Sequence, residues 1–147
     1  MRFVGFLLGV GLLLAGFALG GHVQGAFDGP SFFIVVGCAL AFTYVAHAGD
    51  LWRAMGLGFF GKSADVEAYA ESVHVLQTLR TAFLSVGLVA ALIGGISMSR
   101  GMDSFEHFGP AFAVLLLAPF YGTVFAELVV MPAKRRLEAK VRAATTG

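Results

Sequence analysis

Four stretches of this chain, residues 3–20, 31–49, 81–98 and 110–131, are apolar runs in which Glu127, near the end of the last, is the one Asp, Glu, Lys or Arg. Each is close to the roughly 20 residues that an α-helix needs to cross a hydrocarbon layer roughly 30 Å thick. With 58% hydrophobic and 13% charged residues, the chain has too little polar surface to enclose such runs in a soluble core. In lipid every backbone amide must be satisfied within the chain, which a helix achieves and an open sheet does not. The alternating lipid-facing and lumen-facing pattern of a membrane barrel is absent. The sequence therefore predicts an all-α integral membrane protein with four transmembrane helices. Residues 1–147 form a single membrane domain, with a cytoplasmic connection at about 50–80 and a cytoplasmic tail at 133–147.

The cations set the expected orientation, because Lys and Arg stay on the cytoplasmic side. Arg2 precedes the first run, Arg53, Lys62 and Arg80 lie between the second and third, and Lys134, Arg135, Arg136, Lys140 and Arg142 follow the fourth. Arg100 is the exception, in an outer loop. Both termini are thus expected in the cytoplasm. Topology accounts for the basic residues, so they carry no implication of nucleic acid. Arg2, the apolar run and the small residues Ala18 and Gly20 also describe a signal peptide; retention as a first crossing is the expectation. The single cysteine, Cys38, falls within the second run and reads as a small packing residue.

Gly5, Gly9, Gly16 and Gly20 have spacings that let helices approach closely, although glycine is common in membrane helices generally. In FDGPSFF, Pro30 suits the first turn of the second crossing, with Asp28 or Gly29 at its cap. LWRAMGLGFFGKS returns the chain to the cytoplasm, with Trp52 and Arg53 as interface anchors. Ser63 is a plausible cap for a new helix whose first turn holds Asp65 and Glu67, where the dipole favours acids. That helix should continue unbroken into the third crossing. Val66, Tyr69, Ala70, Val73, Leu76 and Leu79 recur at three or four residues and predict a packed face on its cytoplasmic extension. No phosphate loop, paired-cysteine metal spacing or nucleophile elbow occurs, so no enzyme activity and no metal site is expected.

In the third crossing, Gly87, Ala90, Ala91, Gly94 and Gly95 make small faces beside the hydroxyl of Ser85. Such faces suit either tight packing or a space kept for another helix. Pro119 should kink the fourth crossing near Tyr121 and Thr123. Glu127 lies roughly 9 Å further toward the cytoplasm at about 1.5 Å per residue. Two readings fit it: a station on an ion route, or a partner for Arg80 at the same depth, which is preferred because buried charges need partners. His22 and His107 fall near outer helix ends and His47 and His74 near inner ones. Two bis-histidine haem sites are conceivable on that arrangement, but no specific motif supports them and no cofactor is expected.

Three stretches together resemble the MotA/TolQ/ExbB family of ion-driven motor proteins, most closely its four-crossing MotA branch, here with a short cytoplasmic region. GAFDGPSFFIVVGCALA is similar to that branch's second helix, SVGLVAALIGG to its third, and GPAFAVLLLAPFYGTVFAELVVMPAKRRL to its fourth helix and exit, including Gly109, Pro110, Tyr121, Gly122 and Pro132. The resemblance implies a homopentamer in the bacterial inner membrane around a dimer of a single-crossing MotB/TolR/ExbD-like partner whose intramembrane Asp accepts ions. Ion flow would then turn one against the other. Ser85, Ala91, Pro119, Thr123 and Glu127 become the candidates for the pore or ion pathway, and Arg80–Glu127 the candidate structural ion pair. Leu84 stands where the flagellar branch carries Pro, and the large cytoplasmic region of that branch is missing, which argues against flagellar torque. Ala91 and Pro119 match positions where sodium-using relatives place hydroxyls, which favours protons, although Ser85 and Thr123 are nearby. Val114 replaces the Glu of the ExbB-like branch. A haem-bearing electron carrier and a structural membrane scaffold are the alternative readings.

Overall fold

The computed structural model describes residues 15–16, 28–60, 64–100 and 105–145. The expected first crossing lies outside the described residues except for Ala15 and Gly16, as does Ser63. Among the described residues the chain is helical and contains no strand.

Helix α1, Gly29–His47, begins where Asp28 is extended and its carboxylate accepts from the Ser31 amide at 2.9 Å. Pro30 occupies the first turn, where its missing N–H costs nothing, so the helix starts two residues before the expected position 31. It ends at Ala48, whose φ of 43° turns the chain sharply. Helix α2, Asp50–Phe60, follows at once and buries Leu51, Ala54, Leu57 and Gly58. The stretch expected to return the chain to the cytoplasm is thus itself helical, although its glycines lower helix propensity, because packing overrides them.

Helix α3, Val66–Arg100, runs for 35 residues without a break, about 52 Å at 1.5 Å per residue. It is far longer than any bilayer core. Its first part buries Ala68, Ser72, Val75, Leu76 and Leu79. That face overlaps the expected one at Leu76 and Leu79, while Tyr69 and Val73 are half-buried against the core and Val66 is exposed.

Helix α4, Phe105–Val124, passes through a six-residue π-helical turn, Phe125–Val130, into helix α5, Met131–Thr145. Helical structure continues through Pro119, and the irregular turn comes later. There the Met131 amide reaches back five residues to the Ala126 carbonyl. Pro132 follows directly, and its ring would crowd the carbonyl one α-turn earlier, a conflict that a widened turn relieves.

Three helical segments are long and apolar enough to cross a membrane, Gly29–His47, Val66–Ser99 and Ala111–Thr145. The chain is a membrane protein built around α3, which packs against every other element. Val35, Ala39, Leu51, Ala54, Leu76, Ala118 and Leu137 are fully buried along that axis.

Candidate functional site

The pairing of α3 with α4 is a contact of backbone on backbone. A Cβ on Gly122 would stand 2.5 Å from the Phe83 carbonyl oxygen, and one on Gly87 would stand 2.9 Å from the Ala118 carbonyl oxygen. A Cβ on Gly94 would lie 2.7 Å from the Leu115 amide nitrogen. No side chain fits at these points. In lipid, where the hydrophobic effect does not join helices, such contact supplies the dispersion that does. Of the two uses the sequence left open for the small face, intramolecular packing takes Gly87, Ala90 and Gly94.

One turn beyond this seam stands the charged pair. Arg80 Nε donates to Glu127 Oε1 at 3.0 Å, and the guanidinium Nη2 donates to the same oxygen. The two residues are presented by different devices: α3 carries Arg80 on its long straight rod, and the π-helical turn carries Glu127. π-bulges recur at functional sites because they redirect side chains that a regular helix would space evenly.

The pair belongs to a wider polar band. Lys134 Nζ donates to Gln77 Oε1 at 2.6 Å, and His47 Nε2 and Thr78 Oγ1 are hydrogen-bonded at 2.9 Å. Gln77, Thr78 and Arg80 lie within one turn of α3, so three partners from α1, the π-helical turn and α5 meet it at one level. Further along, Lys140 Nζ lies 4.7 Å from the centre of the Tyr69 ring, and the Tyr69 hydroxyl accepts from the Ala64 amide at 3.1 Å. At the other end of α1, the Asp28 amide donates to the Tyr121 hydroxyl at 3.0 Å. Phe32 stacks edge-on to Tyr121, and Phe125 lies flat against Phe83. Apart from the Arg80–Glu127 pair, the contacts of Lys134 with Gln77, His47 with Thr78 and Tyr121 with Asp28 join residues far apart in sequence, and no spacing signals them.

The pathway candidates do not share one surface in the single chain. Ser85 is exposed and opens into a groove of about 670 Å³ between α1 and α3, lined also by Ile34, Cys38 and Phe42. That groove includes none of Ala91, Pro119, Thr123 or Glu127. Ala91 is 6% exposed. Thr123 is exposed, and its hydroxyl donates to the Pro119 carbonyl at 2.8 Å, while Pro119 and Glu127 are half-buried. His47 is engaged with Thr78, and His74 lines a groove with Glu138 and Arg142. His22 and the side chain of His107 lie outside the described residues. Among the described residues no three His, Cys, Asp or Glu side chains gather as metal ligands would.

No family model matches the chain. It is similar to two characterised bacterial proteins, the Chemotaxis protein PomA of Vibrio alginolyticus, with 27% identity over 74 residues, and the Motility protein A of Aquifex aeolicus (strain VF5), with 31% identity over 72 residues. These matches cover 50% and 49% of this chain but only 29% and 28% of the relatives, so the chain spans under a third of their length. Over about half of its length the chain is therefore similar to MotA-like proteins, in keeping with the motif resemblance read from the sequence.

Proposed function

We propose that the chain is the multi-crossing subunit of an ion-driven membrane motor or channel, acting without enzyme chemistry. Five copies surround a dimer of a single-crossing partner of the MotB/TolR/ExbD kind, and an ion gradient, of protons, is converted into rotation or mechanical work across the envelope. The chain crosses the bacterial inner membrane four times, with residues 3–20 as the first crossing and both termini in the cytoplasm.

One observation carries this reading. Residues 81–99 and 109–126, the paired lengths of α3 and α4, contain no Asp, Glu, Lys, Arg or His. A charge is costly in the bilayer core, and ion pathways mark their course with ionisable groups. A chain that resembles ion-driven motors yet holds no such group at mid-depth needs another subunit to supply it. The backbone seam of Gly87, Gly94 and Gly122 makes α3 and α4 a stiff pair against which such a subunit can bear.

Proton flux into vesicles tests this directly. The purified chain alone is tight, because an apolar constriction excludes water. Reconstitution with a one-helix protein carrying an intramembrane Asp opens a flux that the Asp→Asn variant of that protein abolishes. Equal proton leakage through the chain alone contradicts the proposal.

A further inference from the structure

Helix α2 lies across the bundle, not along it. Just before it, at the end of α1, His47 is hydrogen-bonded to Thr78 of α3. Near the far end of α2, a Cβ on Gly58 would stand 3.3 Å from Leu76 Cδ1 and 3.0 Å from Ala133 Cβ. The 11 residues of α2 span about 16 Å. Between His47, three residues before α2, and Gly58, near its end, the contact point on α3 shifts only from Thr78 to Leu76, about 3 Å at 1.5 Å per residue. Because α3 crosses the membrane, a helix lying across it runs in the plane of the bilayer.

Its level is that of the polar band formed by Gln77–Lys134, His47–Thr78 and Arg80–Glu127, where the apolar part of α3 gives way to charge. Its chemistry suits that level. One face is spent on Leu51, Ala54, Leu57 and Gly58, buried against the bundle. The opposite face carries Trp52 and Phe59, seven residues apart and so nearly aligned. Along its edge, again seven apart, lie Arg53 and Phe60. Trp52 is 66% and Phe60 81% exposed, and Arg53 is exposed. In water such an aromatic face is costly. At the headgroup boundary it is favoured, because indole and phenyl rings settle among the upper acyl carbons while a guanidinium reaches the phosphates. The exposed surface of α1 leads into it through Tyr44 and Val45 across the two-residue turn at Ala48 and Gly49.

We propose that α2 is a phospholipid-binding interfacial helix, with Trp52, Phe59 and Phe60 inserted at the headgroup–acyl boundary and Arg53 on lipid phosphate. The inference rests on the membrane crossing alone and stands apart from the motor reading.

Trp52 is the single tryptophan of the chain, so its fluorescence reports on this helix without any substitution. The full-length protein is reconstituted in vesicles whose phosphatidylcholine carries a nitroxide quencher on the headgroup, near the top of the acyl chain, or deep within it. Quenching is expected to be strongest from the top of the acyl chain and weak from the deep position. A second variant, Trp52→Phe with Phe59→Trp, moves the probe along the same face. An in-plane helix gives the two probes the same depth, whereas a helix standing along the membrane normal separates them by about 10 Å. Quenching mainly by aqueous iodide, quenching by no lipid probe because another protein copy covers the face, or a depth difference near 10 Å would overturn the proposal.

Discussion

Arg80 and Glu127 are 47 residues apart in sequence and share a charge-assisted hydrogen bond between α3 and the π-helical turn. The carboxylate that stood out as an intrusion in an apolar segment is the partner of a cation on the neighbouring helix. The bond ties α3 to the π-helical turn. Removing either charge leaves the other unpaired beside lipid, which costs more than the pair itself contributes. The side chains keep 26% and 38% exposure, so Glu127→Gln or Arg80→Gln should each lose about 1.5–3 kcal/mol at most, the range for hydrogen bonds to charged groups, and not the larger cost of a fully buried pair. Thermal unfolding in detergent should show both losses, and the double variant should lose little more than either one. Unchanged stability and assembly in Glu127→Gln, with partner-dependent flux abolished, would assign Glu127 to proton transfer instead.

The seam between α3 and α4 should tolerate no added carbon at its tightest point. Gly122→Ala places a Cβ 2.5 Å from the Phe83 carbonyl, and overpacking of this kind costs about 1–3 kcal/mol or more. Gly95→Ala is the control, because its Cβ would meet Leu115 Cδ1 at an ordinary 3.6 Å. Melting temperatures of the two variants in the same detergent should separate clearly, with Gly95→Ala close to the parent.

Tyr121 ties the start of α1 to the last turn of α4. Tyr121→Phe keeps the ring against Phe32 but removes the oxygen that accepts from the Asp28 amide. The expected loss is about 1 kcal/mol, that of a single hydrogen bond. Amide hydrogen exchange should show faster opening of the first turn of α1, with the far end of α3 unaffected.

The π-helical turn answers to Pro132. Pro132→Ala restores an amide and removes the crowding that widens the turn, so the backbone can tighten toward regular α geometry. Glu127 would then be redirected relative to Arg80. A double-mutant cycle between positions 80 and 127 should give a smaller coupling energy in the Pro132→Ala background than in the parent.

How far the sequence disclosed this arrangement differs from element to element. The start of α1 was readable because Asp28 and Pro30 act locally, one by capping and one by its fixed φ. The unbroken α3 followed from periodicity, and the Arg80–Glu127 pair from matching depth on adjacent helices. Helix α2 was not readable, since its helicity depends on burying Leu51, Ala54 and Leu57 against elements distant in sequence. The π-helical turn at residues 125–130 was not readable either. The sequence places a kink at Pro119, yet it is Pro132 that has the widened turn directly before it. Ser85 and Thr123 were grouped as neighbours by analogy of position, but rotation about each helix axis sends Ser85 to the α1 groove. Only the packed structure fixes that rotation.

Assembly into a pentamer is the central expectation for this chain, and native mass spectrometry of the full-length protein in mild detergent measures it most directly. Each chain contributes 15.4 kDa. The predicted spectrum is dominated by five copies, and by five copies with two of a single-crossing partner when the two are produced together. A stable monomer or a symmetric dimer as the only species would contradict it.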